Sequence, residues 1–398
     1  MDRRLLMLAI GMFALGTDSY VVAGVLPEIS RAFGVSIGAA GQMTTVYSVT
    51  FALLSPTIAA IAAPVPRKSL LLAGAAIFVL ANLATAAAPT FGVALSTRAL
   101  AGLGAAMFSP TATGSATMLV PAGRRGFALS VVVAGLTLST ALGSPTGAVI
   151  GGLGDWRWTM AFVAALGTIA GLGVWAFLTE VPLPPAVSLG KRLAPLADAR
   201  IGLTLATTFL GLTGIFTVYT YFAVAFDRAI GGSTVVLGVL LVLWGAAGTF
   251  ANLATGRLID RIGSRKVILA MLTVLVVDSA LLPWTSAQLW TAVPAILIWG
   301  AAGWGLLVPQ QHRLVGLAPS IAPVLLGLNT AGSFFGISAA GIVGAAGIEI
   351  VGAHNLGFVG AGLSVIALAV AELATWRIAA ADAARPAALS ASACLSQR

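Results

Sequence analysis

The amino-acid sequence predicts an all-α integral membrane protein with twelve transmembrane helices in two pseudo-symmetric bundles of six. Three observations predict this fold class: the length of the apolar runs, the position of the basic residues between them, and an internal repeat. Of the 398 residues, 59% are hydrophobic and only 8% are charged, whereas a typical soluble domain carries about 25% charged residues. So few charges could not cover a soluble globule, which excludes soluble enzymes, nucleic-acid-binding proteins and disordered proteins.

The apolar runs are long enough to form helices that cross a bilayer, which takes about 20 residues each. They are continuous rather than alternating, which excludes a transmembrane β-barrel. Charges, prolines and Gly/Asn clusters divide the chain into twelve predicted spans. Their approximate limits are 5–26, 39–62, 69–88, 91–119, 127–152, 158–180, 202–226, 235–256, 267–283, 289–311, 321–347 and 355–376.

The basic residues predict how these spans are oriented. Seventeen of the 21 Lys and Arg residues fall in one set of connections, whereas only Arg31, Arg157 and Arg228 fall in the opposite set. Because cytoplasmic loops carry the excess of Lys and Arg, we expect a multi-pass protein of the cell inner (cytoplasmic) membrane with both termini in the cytoplasm. The same distribution explains the formal net charge of +9 without a nucleic-acid partner.

The chain is predicted to consist of two halves joined by a cytoplasmic linker. The predicted limits are 1–180 for the N-terminal bundle, 181–201 for the linker, 202–376 for the C-terminal bundle and 377–398 for a cytoplasmic tail. The proline-rich stretch 181–185 marks the linker, which lies almost at the midpoint of the chain. Asp382, Arg385 and Pro386 interrupt the apolar pattern and place the tail outside the bilayer.

An internal repeat with an offset of 197 to 198 residues supports the two halves. Arg67-Lys68 opens the third helix, and Arg265-Lys266 opens the ninth. The fifth and eleventh helices each carry a small residue at every fourth position, a spacing that lets another backbone approach closely. The two series are Gly135, Ser139, Gly143, Gly147 and Gly151, and Gly332, Gly336, Ala340 and Gly344. Two parallel repeats predict a substrate site between the halves, near the middle of the membrane.

Four stretches of the sequence carry a resemblance to a known family. They are 16–29, 98–104 with an Arg-x3-Gly-x-Gly pattern, 135–151 followed by Asp155-Trp156-Arg157, and 256–266. In this order, and together with the repeat, they resemble the major facilitator superfamily, and within it the twelve-helix drug:proton antiporters. The chain is similar to bacterial arabinose-efflux-like permeases and chloramphenicol exporters. The resemblance implies the major facilitator fold.

The resemblance also implies that two stretches take part in conformational change. The fifth helix matches the antiporter signature, which in the resembled proteins seals the interface between the halves; plain helix packing is the alternative interpretation. Its predicted conformational residues are Gly143, Pro145, Gly147 and Gly151. The stretch 256–266 would act as a cytoplasmic latch, or only as a basic anchor with a tight turn, and the equivalent loop 62–68 keeps only the basic pair. The predicted latch residues are Gly256, Asp260, Arg261, Gly263 and Arg265.

Asp18 is the most informative polar residue, because a carboxylate at mid-span costs about 2.5–3.5 kcal/mol on insertion scales. It precedes Pro27 by nine residues, and Arg98 follows Pro89 by nine, so both lie about 13 Å below the same membrane surface. The functional interpretation is a proton-coupling carboxylate, Asp18, tuned by Arg98. The alternative is a static ion pair that holds two helices together. Asp278, close to a surface on a peripheral helix, is predicted to be structural.

Polar and aromatic residues within the spans are the candidates for substrate contact. They are Gln42, Thr45, Tyr47, Thr213, Phe216, Tyr219, Trp304 and Asn329. One buried acid in a largely apolar wall suits a small, amphipathic, neutral or cationic compound. It suits a phosphorylated or strongly anionic compound poorly.

These features together predict a secondary active transporter that exports a small drug-like compound by proton antiport through alternating access. The sequence contains no ATP-binding loop, zinc-binding pair or nucleophile elbow, so we expect neither an enzyme nor a bound cofactor or metal. We also expect the protein to be a monomer. A sugar or nucleoside efflux permease, or a facilitator or importer, is the alternative within transporters. A membrane enzyme and a channel are the alternatives outside them.

Overall fold

A computed structural model describes residues 2–183 and 187–395, and all regular structure within these ranges is helical. Twelve helical segments in the described chain are long and apolar enough to cross a membrane, as predicted. We number them α1 to α12. Their bounds are Arg3–Gly24, Ile37–Ile61, Arg67–Ala86, Phe91–Met118, Arg125–Leu153, Trp156–Phe177, Ala199–Tyr219, Thr234–Ile262, Ser264–Thr285, Leu289–Leu317, Pro319–Val351 and Ala353–Ala381.

The bounds agree with the predicted spans to within a few residues, except at the ends of α7, α8, α10 and α12. The segment α7 ends at Tyr219, about seven residues early, because the chain turns there and continues as two short helices, Phe222–Ala225 and Asp227–Ile230. The helix that begins in α12 continues to Leu395, beyond the span itself. Residues 184–186 of the predicted linker and 396–398 of the predicted tail lie outside the described residues.

The internal repeat is visible in the backbone. Short helices that follow α1 and α7 end at Gly34 and Gly231, which have φ angles of 63° and 59° and are 197 residues apart. Only glycine adopts such left-handed angles at little cost, which explains both residues. These two glycines therefore add a third pair at the offset found in the sequence.

The small-residue series on α5 and α11 face equivalent neighbours. A Cβ atom on Gly135 would overlap the carbonyl oxygen of Ala9 in α1, and one on Gly336 would lie 2.6 Å from the carbonyl oxygen of Phe209 in α7. Each series thus seats its helix against the first helix of its own half, as a pseudo-two-fold repeat requires.

The two halves, α1–α6 and α7–α12, meet mainly where α2 packs on α11 and α5 packs on α8. We call the side with both described chain ends and the connection 187–198 the linker side, and the opposite side the far side. Hydrogen bonds between α1–α6 and the segment 199–381 run between Gln42 and Gly341, between Thr45 and Ser338, from Tyr221 to α2, and between Ser144 and Tyr219. All of them lie between the middle of the spans and the far side.

Glycines show the same asymmetry. Cβ atoms on Gly245 and Gly341, at mid-span, would overlap Thr140 and Thr45 of the other half. Cβ atoms on Gly126, Gly256 and Gly327, on the linker side, would meet no heavy atom within 4 Å. Among the described residues, the hydrogen bonds and the overlapping glycine positions between the halves therefore lie from mid-span to the far side.

The described part of the linker is short and contacts the N-terminal half. It contains a helix, Leu189–Leu193, and a 3₁₀ turn, Ala194–Ala197. Arg192 donates a hydrogen bond from Nη2 to the carbonyl oxygen of Ala59, at the end of α2 (3.2 Å). Asp198 caps α7 by accepting a hydrogen bond from the main-chain nitrogen of Arg200.

Candidate functional site

Asp18 and Arg98 form an ion pair inside the N-terminal half. Arg98 donates from Nη1 to Asp18 Oδ1 (2.5 Å) and from Nη2 to the main-chain oxygen of Asp18 (3.2 Å). Both side chains are 0% exposed. The equal depth calculated from the sequence is thus realised as a direct contact between α1 and α4, whereas the proton-coupling role of the pair stays a prediction.

Two further residues complete the environment of this pair. Asn82 of α3 donates from Nδ2 to Asp18 Oδ2 (3.3 Å), and its Oδ1 accepts a bond from Arg98 Nη1 (3.4 Å). Arg98 lies over the ring of Tyr47, 4.7 Å from its centroid, and Tyr47 donates to the carbonyl oxygen of Leu15. The carboxylate therefore receives donors on both oxygens, and the guanidinium is held between a carboxylate and an aromatic face.

Sequence reasoning missed Asn82, although it is the only amide side chain in α3. An amide in an apolar span requires a polar partner because lipid offers none. That argument would have placed Asn82 beside another intramembrane polar group. The depth comparison that linked Asp18 to Arg98 could then have been extended to the third helix.

A buried aromatic cluster lies where the two halves meet. Tyr20 comes from the N-terminal half, and its ring centroid is 5.7 Å from that of Phe216, 6.1 Å from that of Tyr219 and 5.9 Å from that of Trp304. The core of the cluster is Tyr20, Phe216, Tyr219, Trp244, Trp299 and Trp304, and Phe222 and Phe226 stack on Trp299 at its edge. The core contains three of the predicted substrate residues and three that were not predicted.

The cluster retains hydrogen-bonding capacity. The indole nitrogens of Trp244, Trp299 and Trp304 are buried and have no hydrogen-bond partner among the described residues. An indole N–H can only donate, and a buried donor without a partner costs about 1–3 kcal/mol. The cluster is thus suited to an aromatic or apolar ligand that also carries a hydrogen-bond acceptor.

The other predicted substrate residues lie elsewhere. Gln42 and Thr45 bond across the halves to main-chain oxygens of α11, where they help to close the far side. Asn329 accepts a hydrogen bond from Thr208 within the C-terminal half, and Thr213 bonds to a carbonyl of its own helix. Tyr47 belongs with Arg98. The structure therefore does not bring the predicted set together as one site.

The glycines of the small-residue series on α5 pack within their own half, and the part that α5 would take in conformational change stays a prediction. Cβ atoms on Gly143 and Gly147 would overlap Thr17 and Val21 of α1, so these glycines face their own half and not the interface between the halves. Another face of α5 contacts α8, including Thr140, which packs on Gly245. The two faces differ because a helix turns by 100° per residue and a four-residue spacing follows only one face.

The backbone of α5 is irregular at the same place. Residues Ser139–Gly143 form a π-helical turn directly before Pro145, which stands in the first turn of the next helical piece. Proline removes a backbone donor, and π-turns are frequent at functional sites. Ser144 Oγ and the Tyr219 hydroxyl are 3.3 Å apart, so the residue that follows this turn contacts the aromatic cluster.

The predicted latch on the linker side is only partly assembled. Gly263, with φ 81°, makes the tight turn between α8 and α9. Arg265 pairs with Glu372 of α12 (2.6 Å). Asp260 is exposed, and its side chain has no ion-pair or hydrogen-bond partner within the described ranges. Gly256 and Arg261 lie on the open linker side, so the latch interactions of Asp260 stay a prediction for another conformation.

Within residues 2–183 and 187–395, no group of three or more His, Cys, Asp and Glu side chains is arranged to hold a metal ion. The geometry is that of a twelve-span multi-pass membrane protein with a buried charge network and an interface between halves that is closed on one side. This is the architecture of a transporter.

The sequence profile of the Major Facilitator Superfamily matches residues 8–320, and the chain belongs to that family. It is 30% identical to the inner membrane transport protein YdhP of Escherichia coli (strain K12) over 369 residues, which cover 91% of this chain and 94% of YdhP. A probable sugar efflux transporter of Helicobacter pylori (strain P12) is 28% identical, covering 92% and 93%. The chloramphenicol resistance protein of Streptomyces lividans is 33% identical over 265 residues, covering 65% and 67%.

Solved structures of transporters share the fold. The crystal structure of the nucleoside transporter NupG superposes with a TM-score of 0.76 at 13% identity, covering 94% of this chain and 100% of that one. That of the D-xylose-proton symporter gives a TM-score of 0.75 at 15% identity, covering 93% and 96%. The chain is therefore a transporter and not an enzyme, and inner-membrane relatives indicate the same membrane for it.

Proposed function

We propose that this transporter exports a small amphipathic compound by proton antiport through alternating access, with both termini in the cytoplasm. The observation that carries the proposal is the fully buried network of Asp18, Arg98 and Asn82 on α1, α4 and α3. Asp18 is the group that takes a proton from the far side and releases it on the linker side.

The geometry of the network supports a link between protonation and conformation. In the closed site, Asp18 neutralises Arg98. A proton on Asp18 would leave Arg98 buried without its counter-charge, and breaking a buried ion pair costs about 3–5 kcal/mol. Proton uptake is therefore favoured only when the halves rearrange and water reaches the site. This is the coupling that antiport requires.

The asymmetry of the interface supports alternating access. The halves are in tight contact at Gly341 and Gly245, whereas Cβ atoms on Gly256 and Gly327, on the linker side, would meet no heavy atom within 4 Å. With the linker side in the cytoplasm, as the basic residues predict, this is an inward-facing state. It corresponds to a transporter that has released its proton and is ready to bind substrate from the cytoplasm.

The aromatic cluster supports an amphipathic substrate. Its rings offer apolar area, and the free indole donors of Trp244, Trp299 and Trp304 suit a ligand with an acceptor group. Among these rings and the Asp18 network, the only full positive charge, Arg98, is already neutralised by Asp18. A phosphorylated or strongly anionic compound would thus find no counter-charge in this part of the site.

Transport of a sugar or nucleoside is the second candidate. It is favoured by the likeness to a probable sugar efflux transporter and by the fold shared with NupG and the D-xylose-proton symporter. Aromatic faces also bind sugar rings, but a sugar needs many hydrogen bonds. The cluster offers few polar groups beyond the three indoles and the hydroxyls of Tyr20 and Tyr219.

The test is transport of a defined panel of compounds. Everted membrane vesicles from a pump-deficient host that produces the protein are energised with a pH gradient, acid inside, and given chloramphenicol, a lipophilic cationic dye, arabinose or uridine. The proposal predicts concentration of chloramphenicol or the dye inside the vesicles, abolished by a protonophore. Uptake of arabinose or uridine alone would favour the second candidate. Matched vesicles without the protein correct for passive entry.

A further inference from the structure

A second buried acid lies far from the Asp18 network, on the outside of the C-terminal half. Asp278 of α9 is 7% exposed. Its Oδ2 is buried and has no hydrogen-bond partner among the described residues. A structural role, expected from the sequence, would need a partner, because a buried polar group without one is costly. The structure provides none within the described ranges.

Asp278 lines an open cavity of about 340 Å³ between α9 and α10. The walls are Leu281 and Thr285 of α9 and Trp290, Thr291 and Ile298 of α10. Leu281, Trp290 and Ile298 are 48%, 74% and 48% exposed. Large apolar side chains exposed at mid-span or near a helix end face lipid, so the cavity is a groove that opens into the bilayer.

The groove becomes more polar toward the far side. Asp278 precedes Thr285, the end of α9, by seven residues, or about 10 Å of helix. The hydroxyls of Thr285 and Thr291 donate to main-chain oxygens (3.3 and 2.8 Å), so their own lone pairs still accept hydrogen bonds. From the membrane surface down to Asp278, these groups therefore offer hydrogen-bond acceptors to the groove, while their own protons are already used in bonds to the main chain.

We propose that this groove binds a lipophilic amine dissolved in the bilayer, with the carboxylate of Asp278 as the counter-charge of its ammonium group. An ammonium carries three donors and no acceptor, which matches the acceptors of the groove, and the exposed Leu281 and Trp290 offer apolar contact to its chain. The cavity volume is at the low end for sites of drug-sized ligands. Arg228, which lies at this end of the half, is bonded to the Pro283 carbonyl oxygen and Ser286.

A phospholipid headgroup with an amine fits less well. It would bring its phosphate about 10 Å into the hydrocarbon together with the ammonium, and burying a charge without a partner is expensive. The inference does not depend on the direction of transport or on Asp18. Its test therefore measures no transport.

The experiment uses the whole protein in phosphatidylcholine vesicles and the hydrophobic reagent dicyclohexylcarbodiimide, which modifies membrane-embedded carboxyl groups. Reaction of Asp278 is measured by peptide mass spectrometry as the loss of the unmodified peptide, alone and with dodecylamine, so that any dodecylamide formed by attack of the amine on the activated carboxyl counts as reaction and not as protection. At ten times its dissociation constant, dodecylamine should lower the modification about tenfold. Dodecanol, which has the same chain without the charge, should lower it by less than about twofold. The peptide that contains the exposed Glu349 of α11 is the internal control and should be unaffected.

Three results would overturn the proposal. Equal protection by dodecylamine and dodecanol would show that the groove selects only for the chain. No modification of Asp278 under any condition would show that the groove does not admit lipophilic molecules. Full protection on replacing phosphatidylcholine by phosphatidylethanolamine, without dodecylamine, would show that the occupant is a lipid. None of these results bears on proton-coupled export.

Discussion

The tight contact of Gly245 with Thr140 makes a quantitative prediction about the conformational equilibrium. A methyl group at Gly245 of α8 would overlap the main chain of Thr140 in α5, so the Gly245→Ala variant destabilises the state that is closed on the far side. Overpacking of a well-packed contact costs about 1–3 kcal/mol. That cost shifts the equilibrium toward the opposite state by a factor of about 5 to 160.

The matched control lies on the same helix. A methyl group at Gly256 meets no heavy atom within 4 Å, so Gly256→Ala makes the same chemical change without any overlap. Both substitutions replace a helical glycine by alanine, and their effects on helix propensity therefore cancel in the comparison.

Accessibility of a cysteine at the closed interface reports the shift. Ser338, whose carbonyl accepts from Thr45, is 5% exposed and is replaced by cysteine in a Cys394→Ser background. A membrane-impermeant maleimide applied from the far side should label Ser338→Cys at least about fivefold faster with Gly245→Ala than without it. Labelling should not change with Gly256→Ala. Equal labelling rates for the two glycine variants would refute the inference that Gly245 closes the far side.

Three other predictions follow from the packing, the charge network and the topology. Replacing Gly147 by Leu forces α5 away from α1 and should abolish transport at equal expression, whereas Ala165→Leu on the exposed face of α6 should not. Normal transport by Gly147→Leu would contradict the packing argument. Arg98→Lys should retain more transport than Arg98→Ala, because the charge survives although the planar fork does not; equal losses in transport assays would mean that the charge of Arg98 is not what matters. A cysteine that replaces the exposed Ser188 should react with impermeant maleimide only from the cytoplasm. Labelling from outside intact cells would show that the predicted orientation is reversed.

The number of spans and most of their limits could be predicted from the sequence because the membrane imposes one rule on every span. About 20 apolar residues must be helical, whatever surrounds them. The error at α7 arose because residues 220–226 are as apolar as a span. They are buried against the far-side end of α1 and α2 rather than crossing lipid, and hydropathy does not distinguish the two environments.

The ion pair could also be anticipated, since depth along a helix follows from the rise per residue. The sequence does not show which side of each helix faces which neighbour, so the residues that meet could not be anticipated. The glycines of the small-residue series on α5 face α1 because of the rotation of α5 about its axis. Gln42 and Thr45 face α11 because of the rotation of α2. Trp244 was missed because a single aromatic residue in a span has many possible neighbours, and only tertiary packing selects one. Asn82 could have been placed at the depth of the ion pair, but not on the side of its helix that faces the pair.

The most direct test of the account is the substrate gradient that Asp18→Asn can sustain. One proton that enters down about 100 mV and one pH unit supplies about 3.7 kcal/mol, which corresponds to a gradient of roughly 500-fold for one neutral molecule. Asn keeps the size of the side chain and can bond to Arg98, but it cannot titrate. In energised everted vesicles the wild-type protein should accumulate substrate, whereas Asp18→Asn should bind it and equilibrate it without accumulation. An Asp18→Asn protein that still builds a protonophore-sensitive gradient would contradict the account and leave the pair with Arg98 as a structural contact between α1 and α4.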